Sequence, residues 1–300
     1  MRQVEIGASG RRVGALGFGC WRFLGHDLAQ AETLVETALD LGMTLIDTAD
    51  IYGFGGAGFG AAEALLGEVL KADPARRGRM VLATKGGIIP PAPYNSSRAY
   101  LIEACEASLA RLGVEQIDLY QIHRPDLLTP WEEVAGALDT LIADGKIAAA
   151  GISNFTLAQA RALQAHLGSR IVSTQPEFSA LQLQPINDGT LDWCQETGAV
   201  ALVWSPLAGG RLGEGYVPQA DDPACLADVH AALDRIASTH GARRSDVALA
   251  FLLMHPAQPV VLLGTQTPNR LKAAMRALEI DLSRQDWYSI IEASRGAPMP

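Results

Sequence analysis

The feature that most constrains this sequence is an alternation of eight short apolar runs with amphipathic segments. Most of the runs are continuously apolar, as expected of strands that are buried on both faces. Strands that alternate with helical segments are typical of parallel sheets with crossover helices. The predicted strands are Ala15–Cys20, Thr44–Asp47, Met80–Thr84, Ile117–His123, Ile147–Ile152, Ile171–Thr174, Val200–Trp204 and Val260–Leu263. We therefore expect an α/β fold, a closed (β/α)8 TIM barrel rather than an open sheet.

The segments between the strands carry helix start and stop signals. Ser97 precedes a segment with helical apolar spacing, and Gly113 follows it where a left-handed terminating residue belongs. The apolar face predicted for this helix is Ile102, Cys105, Leu109 and Leu112. Thr129–Glu132 and Thr156–Gln159 have the spacing of helix capping boxes, the first with proline at the first helical position.

The domain organisation follows from the absence of any linker signal. No shift in composition, low-complexity tract or repeat of 20–50 residues divides the 300 residues, so we expect one domain over residues 1–300. Gln3–Ile6 and Arg12–Val13 flank a glycine-containing turn, which predicts an N-terminal β-hairpin that plugs the bottom of the barrel.

Two long connections, Gly86–Ser96 and Pro206–Ala224, follow predicted strands. In a barrel they lie over the C-terminal mouth, where active sites are built. A third glycine-rich stretch, Gly53–Gly60, has no GxGxxG spacing at the start of a helix, so we interpret it as a rim loop.

Composition and charge exclude several classes of function. The 24 basic and 33 acidic residues give a net charge of −9, the wrong sign for nucleic-acid binding. No apolar run reaches the roughly 18 residues of a membrane span, and the start of the chain lacks a signal-peptide pattern. The four cysteines form no CxxC and the six histidines no HxH or HExxH, so we expect reduced thiols, no metal and a cytoplasmic location.

Polar residues follow the predicted strands at the points where their C-terminal ends meet. Each residue alone has an ordinary interpretation, such as a solvated lysine or a packed histidine. Together, however, they would form one site at the rim of a barrel. These residues are Asp47, Tyr52, Lys85, His123, Ser153, Asn154, Gln175, Ser205 and the segment Thr265–Arg270.

The first four of these residues form a chemically coherent set. A phenol with an ordinary pKa of about 10 is a poor acid until a nearby ammonium favours its phenolate, and Lys85 can supply that charge to Tyr52. Asp47 can hold Lys85 protonated, and His123 can position a substrate oxygen or relay a proton.

The chain resembles the aldo-keto reductases in a series of segments that occur in the family's order and spacing and span essentially the whole chain. These segments are Leu45–Gly53, Thr84–Lys85, Asp118–His123, Gly151–Phe155 and Trp204–Leu207. Three further segments resemble a bacterial, YdhF-like branch of that superfamily, namely His123–Asp126, Gly189–Asp192 and Gly209–Leu212.

The resemblance implies a barrel that binds a nicotinamide cofactor without a Rossmann domain and reduces carbonyl groups. Tyr52 would be the general acid, tuned by Asp47 and Lys85. His123 would orient the carbonyl group for hydride transfer. The partner would be a small carbonyl compound, with Trp21 and Arg124 as candidate walls of its pocket.

The resemblance also assigns the cofactor contacts. Ser153, Asn154 and Gln175 would hold the nicotinamide carboxamide, and the ring would lie against Trp204, where much of the family has tyrosine. The loop after this residue would fold over the pyrophosphate. Its candidate contacts are Ser205, Leu207, Gly210 and Arg211.

The adenosine end departs from the family pattern. Gly264 stands where lysine is frequent, and Ala273–Ala274 replace a Glu-Asn pair. Thr265 and Arg270 remain, and Thr267–Pro268 predicts a helix start beside them. A hydroxyl and a guanidinium near a helix start suit a 2′-phosphate, so we expect NADP(H) rather than NAD(H).

Two other functions are compatible with the same residues. Lys85 at a strand end could form a Schiff base with a carbonyl substrate, which would make the protein a lyase. Alternatively, the chain could be a regulatory subunit that binds the cofactor with little turnover. Borohydride trapping and a turnover assay distinguish these readings from a reductase.

Overall fold

The computed structural model describes residues 1–300, apart from the side chain of Ala8. Its strands are β1 (Gln3–Glu5), β2 (Arg12–Gly14), β3 (Leu16–Gly19), β4 (Leu45–Asp47), β5 (Val81–Gly86), β6 (Leu119–Ile122), β7 (Ala150–Ser153), β8 (Ile171–Gln175), β9 (Val200–Val203) and β10 (Val260–Leu263). Strands β3 to β10 pair in chain order as parallel neighbours, and β10 pairs with β3 to close the barrel. The predicted (β/α)8 fold is confirmed.

Helices connect the barrel strands and surround them. They are α1 (Leu28–Asp40), α2 (Ala61–Ala72), α3 (Arg98–Leu112), α4 (Trp131–Ala143), α5 (Leu157–Gln164), α6 (Gln184–Asn187), α7 (Thr190–Thr197), α8 (Leu226–His240), α9 (Arg244–Leu253), α10 (Pro268–Ala274) and α11 (Arg284–Arg295). Short 3-10 turns lie at Gly7–Ser9, Pro74–Arg79, Ala208–Gly210 and Met275–Glu279.

The N-terminal hairpin closes the bottom of the barrel. β1 and β2 pair antiparallel, with Val4 opposite Val13. Val4, Ile6 and Val13 are buried in one cluster with barrel residues such as Leu45. Gly7 has a φ of +48°, and a Cβ at this position would lie 2.8 Å from Val172, so glycine is required where the turn meets the strand ends. The predicted plug is confirmed.

A second apolar layer lies between the strands and the helices. On α1, for example, Leu34, Val35 and Ala38 recur at helical spacing and are buried. Complete burial of one such leucine stabilises the fold by about 1.5–3 kcal/mol. Truncating Leu34 to alanine would therefore cost about 2–5 kcal/mol, because the cavity is only partly refilled.

The helix signals were partly correct. Thr156 and Gln159 form the predicted capping box, and Gly113 ends α3 with a φ of 66°. The prediction of a capping box at Thr129–Glu132 was wrong. The Thr129 hydroxyl donates to Asp126 Oδ2 at 2.6 Å instead, and α4 begins only at Trp131.

The apolar face expected on α3 was also partly wrong. Ser97 precedes the helix but makes no capping hydrogen bond from its side chain to a described residue. The buried side chains are Leu101, Ala104, Cys105, Ser108 and Leu112. The small Ala104 and Ser108 allow close contact with the neighbouring elements, so the buried face includes residues that a purely apolar pattern omits.

Six of the eight barrel strands end one or two residues from the predicted C-terminal bound, and the differences at β5 and β6 affect the site. β5 continues to Gly86, so Lys85 lies within the strand opposite Gln121 of β6. β6 ends at Ile122, and His123 is the next residue. Paired strands hold Lys85 at a defined height in the barrel.

Candidate active site

A cavity of about 930 Å³ lies at the C-terminal ends of the barrel strands. Most of the residues predicted for the site line it, although they come from segments far apart in the sequence. The predicted residues in its wall are Trp21, Asp47, Tyr52, His123, Arg124, Ser153, Asn154, Gln175, Trp204, Ser205, Leu207, Gly210, Gly264, Thr265 and Arg270. Two predicted residues, Lys85 and Arg211, lie outside the lining.

Lys85 lies directly beneath the cavity and is fully buried. Its Nζ donates to Asp47 Oδ2 at 2.6 Å, to the Thr48 carbonyl oxygen at 2.7 Å and to the Tyr52 hydroxyl at 3.2 Å. Burial acts to lower the pKa of this ammonium, but Asp47 and Tyr52 outweigh that effect and hold the pKa above its ordinary value. Lys85 is therefore a protonated group with all three N–H bonds directed at partners.

Asp47 joins Lys85 to the polar floor of the cavity. Its second carboxylate oxygen accepts hydrogen bonds from Gln175 Nε2 at 3.0 Å and from Gln121 Nε2 at 3.2 Å. Sequence reasoning missed Gln121, although a glutamine in an otherwise apolar strand was a visible signal. These contacts fix the orientation of the carboxylate that faces Lys85.

Tyr52 presents its hydroxyl to the cavity from the turn after β4. Burial raises the pKa of this phenol above its ordinary value, and the charge of Lys85 opposes that rise. Tyr52 is consequently a neutral phenol at physiological pH, with a proton to donate. The Lys85 ammonium also lies 5.0 Å from the centre of the phenol ring, so it contacts both the ring and the oxygen.

His123 faces Tyr52 across the cavity. The two ring centres are 5.9 Å apart, with the rings nearly perpendicular at 78°. Burial lowers the pKa of His123 well below its ordinary value, and the charges of Lys85 and Arg124 lower it further. A neutral imidazole beside a phenol can hold an oxygen atom of a ligand by a hydrogen bond.

A chain of side chains continues from His123 along the wall. Asn154 Nδ2 donates to Ser153 Oγ at 2.8 Å and to the His123 carbonyl oxygen at 3.3 Å, and Trp204 Nε1 donates to Asn154 Oδ1 at 3.2 Å. Asn154 and Ser205 have positive φ values of 60° and 54°. Such backbone strain outside glycine is concentrated at functional sites.

The connection after β9 forms one side of the cavity, which we call the strap, residues Leu207–Asp222. Gly210 and Tyr216 line the cavity from the strap. Arg211 does not, because its Nε donates to Asp222 Oδ1 at 2.6 Å, where the Tyr216 hydroxyl also donates at 2.9 Å. The predicted cofactor contact Arg211 therefore holds the strap together.

Other lining residues had no signal in the sequence. Glu214 of the strap accepts a hydrogen bond from the backbone N–H of Ser245 at 2.8 Å. Both residues and Arg243 line the cavity, as Arg270 does. This contact joins the strap to the start of α9, and it depends on the tertiary fold rather than on local spacing.

The outer part of the cavity is aromatic and cationic. Trp21 is 64% exposed and Phe54 57% exposed, and both line the mouth. Arg22 stacks on Trp21 with its guanidinium 5.4 Å from the ring centre. Arg124 lines the same region and, among the described residues, has no carboxylate partner within 4.0 Å.

The described residues contain no group of three or more His, Cys, Asp or Glu side chains arranged to bind a metal ion. Among their helices, none combines the length and the apolar character that a membrane crossing requires.

Comparison with known proteins matches residues 15–295 to the family model described as the aldo/keto reductase family. The chain is 47% identical over 299 residues to a 6-dehydroglucose reductase of Novosphingobium aromaticivorans, covering 99% of this chain and 96% of the relative. It is 33% identical over 311 residues to oxidoreductase YdhF of Escherichia coli, covering 100% of both chains. The resemblance inferred from the motifs is confirmed.

A solved structure supports the same relationship. Aldo-keto reductase AKR11C1 from Bacillus halodurans, in its holo form, superposes with a TM-score of 0.84 at 28% identity. The match covers 100% of this chain and 98% of the other.

Proposed function

The chain belongs to the aldo/keto reductase family, an oxidoreductase family that reduces carbonyl groups, and on that premise we propose that it is an NADP(H)-dependent reductase of a sugar aldehyde, with Tyr52 as the proton donor. The observation that carries the proposal is the contact of the neutral Tyr52 phenol with the protonated Lys85 at 3.2 Å, on the floor of the cavity.

The proton transfer follows from this contact. As negative charge develops on the carbonyl oxygen of a substrate, the Tyr52 hydroxyl donates its proton to that oxygen. The phenolate left behind is stabilised by the Lys85 ammonium, which is already in place and needs no reorganisation. Asp47 keeps that ammonium oriented, and His123 holds the same oxygen by a hydrogen bond.

The residues of the inner cavity fit a nicotinamide cofactor. Ser153, Asn154 and Gln175 present amide and hydroxyl groups, and Trp204 presents an aromatic face. When bound, a reduced nicotinamide supplies the hydride that the protein itself cannot provide. The strap glycines Gly209 and Gly210 line the cavity without a side chain, so a pyrophosphate could approach their backbone closely.

The preference for NADP(H) rests on the far end of the cavity. Arg270 lines it and forms no ion pair with a described carboxylate, so its guanidinium is available to an anion. The buried Thr265 hydroxyl has no hydrogen-bond partner among the described residues. Both groups suit a 2′-phosphate. Gly264 in place of a second cation makes the expected preference moderate.

The substrate proposal comes from the relative named 6-dehydroglucose reductase. That name describes glucose with an aldehyde at carbon 6, which reduction converts to the primary alcohol. Trp21 offers an aromatic face to a sugar ring, and Arg124 offers donors to its hydroxyl groups. A neutral polyol with one aldehyde therefore suits both the chemistry and the mouth.

The Schiff-base alternative is disfavoured by the state of Lys85. A lysine nucleophile must lose its proton, yet burial between Asp47 and Tyr52 leaves the pKa of Lys85 above its ordinary value. All of its N–H groups are also directed at partners. A lysine of this kind stabilises charge and is a poor nucleophile.

The proposal is tested by binding and turnover. NADPH and NADH are titrated by fluorescence, and the oxidation of each is then followed with 6-dehydroglucose, glucose and simple aldehydes. We expect tighter binding of NADPH and the highest kcat/KM with 6-dehydroglucose. Tight NADPH binding without turnover of any carbonyl would instead favour a regulatory subunit.

A further inference from the structure

A buried carboxyl group that the mechanism does not use lies behind the site. Asp50 is in the turn between β4 and α2 and is 0% exposed. Neither of its carboxyl oxygens has a side-chain hydrogen-bond partner among the described residues. A buried acid in this state is costly to the fold, so its position requires an explanation.

The backbone of Asp50 connects the segments that carry the catalytic pair. Its N–H donates to the Lys85 carbonyl oxygen at 3.0 Å, and its own carbonyl oxygen accepts from the Gly60 N–H at 2.6 Å. Tyr52 lies two residues further along the same turn. A movement of Asp50 would therefore change the distance between the Tyr52 hydroxyl and the Lys85 ammonium.

The side chain of Asp50 shares its buried space with Tyr120 of β6. A Cβ added to Gly86 would lie 2.0 Å from the Tyr120 hydroxyl and 3.4 Å from Asp50 Oδ2. The Tyr120 hydroxyl and the Asp50 carboxyl group thus both lie close to the space above the Cα atom of Gly86, the residue after Lys85. The Tyr120 hydroxyl also has no hydrogen-bond partner among the described residues.

The charged groups around Asp50 come from every neighbouring element. Glu63 of α2 is ion-paired with Arg111 of α3 and accepts from the Thr84 hydroxyl. Tyr100 of α3 and Lys85 of β5 also face Asp50. Burial and the Glu63 charge raise the pKa of Asp50 to about 8, against the opposing effects of the Arg111 charge, the Ile51 backbone N–H and the Lys85 charge. At pH 7 its carboxyl group is therefore mostly protonated.

We propose that Asp50 is a positioning residue for the Tyr52–Lys85 pair. The protonated carboxyl group of Asp50, packed with the Tyr120 hydroxyl above Gly86, holds the turn that carries Tyr52 against β5. Ionisation of this carboxyl group weakens reduction. Ionisation would put a second buried negative charge beside Glu63. Repulsion and the need for water would then displace the turn. This inference rests on the proposed function.

The catalytic residues themselves do not titrate in the same range. The pKa of Tyr52 and that of Lys85 are raised above their ordinary values of 10.0 and 10.5, and the pKa of His123 lies well below 6.5. A loss of activity centred near pH 8 would therefore report on Asp50 rather than on these groups.

The test compares the wild type with Asp50→Asn and Asp50→Ala from pH 6 to 9.5, with NADPH and 6-dehydroglucose. One pH unit above its pKa, only about a tenth of a group remains protonated. We expect the wild-type kcat to fall about tenfold between pH 7 and 9, with little change in KM. Asp50→Asn, a neutral isostere, should keep the wild-type kcat at pH 7 and lose the decline. Asp50→Ala should lower kcat at every pH.

Asp118→Asn is the matched control. Asp118 is a buried aspartate of the barrel, ion-paired with Arg11 and Arg77, and it does not line the cavity. Its replacement should lower stability but leave the pH profile of kcat unchanged. A decline near pH 8 that persists in Asp50→Asn, or a wild-type kcat in Asp50→Ala, would overturn the proposal.

A second measurement separates this proposal from the substrate assignment, because it needs no substrate. In the unfolded chain the Asp50 carboxyl has an ordinary pKa of about 4, so the wild type loses stability as pH rises from about 4 to 8. The gain in Tm of Asp50→Asn over the wild type should grow across this range. A constant difference would refute the buried protonated state, whereas failure to reduce 6-dehydroglucose would refute only the substrate.

Discussion

Lys85 Nζ donates a 2.6 Å hydrogen bond to Asp47 Oδ2, and both side chains are buried at the floor of the cavity. The pair is neutral as a whole, but removal of either partner would leave one uncompensated charge that is almost entirely buried. Catalysis and stability are therefore coupled at this contact.

Replacement of Tyr52 by phenylalanine should remove most of the reductase activity. The substitution deletes the hydroxyl that would donate the proton and retains the ring beside Lys85, so we expect kcat to fall by about 10²–10⁴-fold. The affinity for NADPH, measured by fluorescence, should change little. A rate near that of the wild type would exclude Tyr52 as the general acid.

Replacement of Lys85 by methionine should cause a comparable loss of kcat and lower stability. Met fills the space of the lysine stem but leaves Asp47 without its cation, which costs about 3–5 kcal/mol for a buried pair. Chemical denaturation measures the second effect. In the wild type, borohydride treatment with substrate should leave Lys85 unmodified, and a covalent adduct there would move the protein to the lyases.

His123 makes a separate contribution to the pH dependence of stability. Because its pKa in the fold is well below the value of about 6.5 in the unfolded chain, the unfolded state binds a proton first. This contribution is fully present above pH 6.5 and is lost as pH falls, by about 1.4 kcal/mol per unit.

The free energy of unfolding of His123→Gln should therefore depend less steeply on pH between 5 and 7 than that of the wild type. The exposed His166, replaced in the same way, is the control and should leave the slope unchanged. Equal slopes in the wild type and His123→Gln would contradict a buried neutral imidazole.

Arg270 provides the test of cofactor selectivity. A charge-assisted contact with the 2′-phosphate is worth about 1.5–3 kcal/mol, so Arg270→Ala should weaken NADPH binding by about 10- to 150-fold. The affinity for NADH, which lacks this phosphate, should hardly change. Lys272, an exposed cation of the same helix outside the cavity lining, is the matched control. Equal weakening of both cofactors would remove the argument for NADP(H).

The barrel could be predicted because its strands are buried on both faces and therefore appear as apolar runs. The polar residues at the strand ends followed from the same geometry. Individual boundaries did not follow from the apolar pattern, because they depend on competing hydrogen bonds. Thr129, for example, has the spacing of a helix cap, but its hydroxyl is bonded to Asp126 instead.

The parts of the site that sequence reasoning missed are set by contacts between distant segments. Gln121 is 74 residues from Asp47 in the sequence, and Glu214 is 31 residues from Ser245. Arg211 stays a predicted cofactor contact, and the sequence did not indicate that its guanidinium donates to Asp222 of the same loop. Local spacing does not contain this information.

The hairpin plug determines at which end of the barrel ligands enter and leave. Val4, Ile6 and Val13 seal the N-terminal end of the barrel, so ligands enter and leave at the opposite end. Ser153 is almost fully buried there, whereas Trp21 is 64% exposed. A dinucleotide that occupies the inner positions must therefore arrive before the aldehyde and depart after the alcohol. Steady-state kinetics should accordingly be ordered, with NADP⁺ competitive against NADPH and the alcohol product noncompetitive against it.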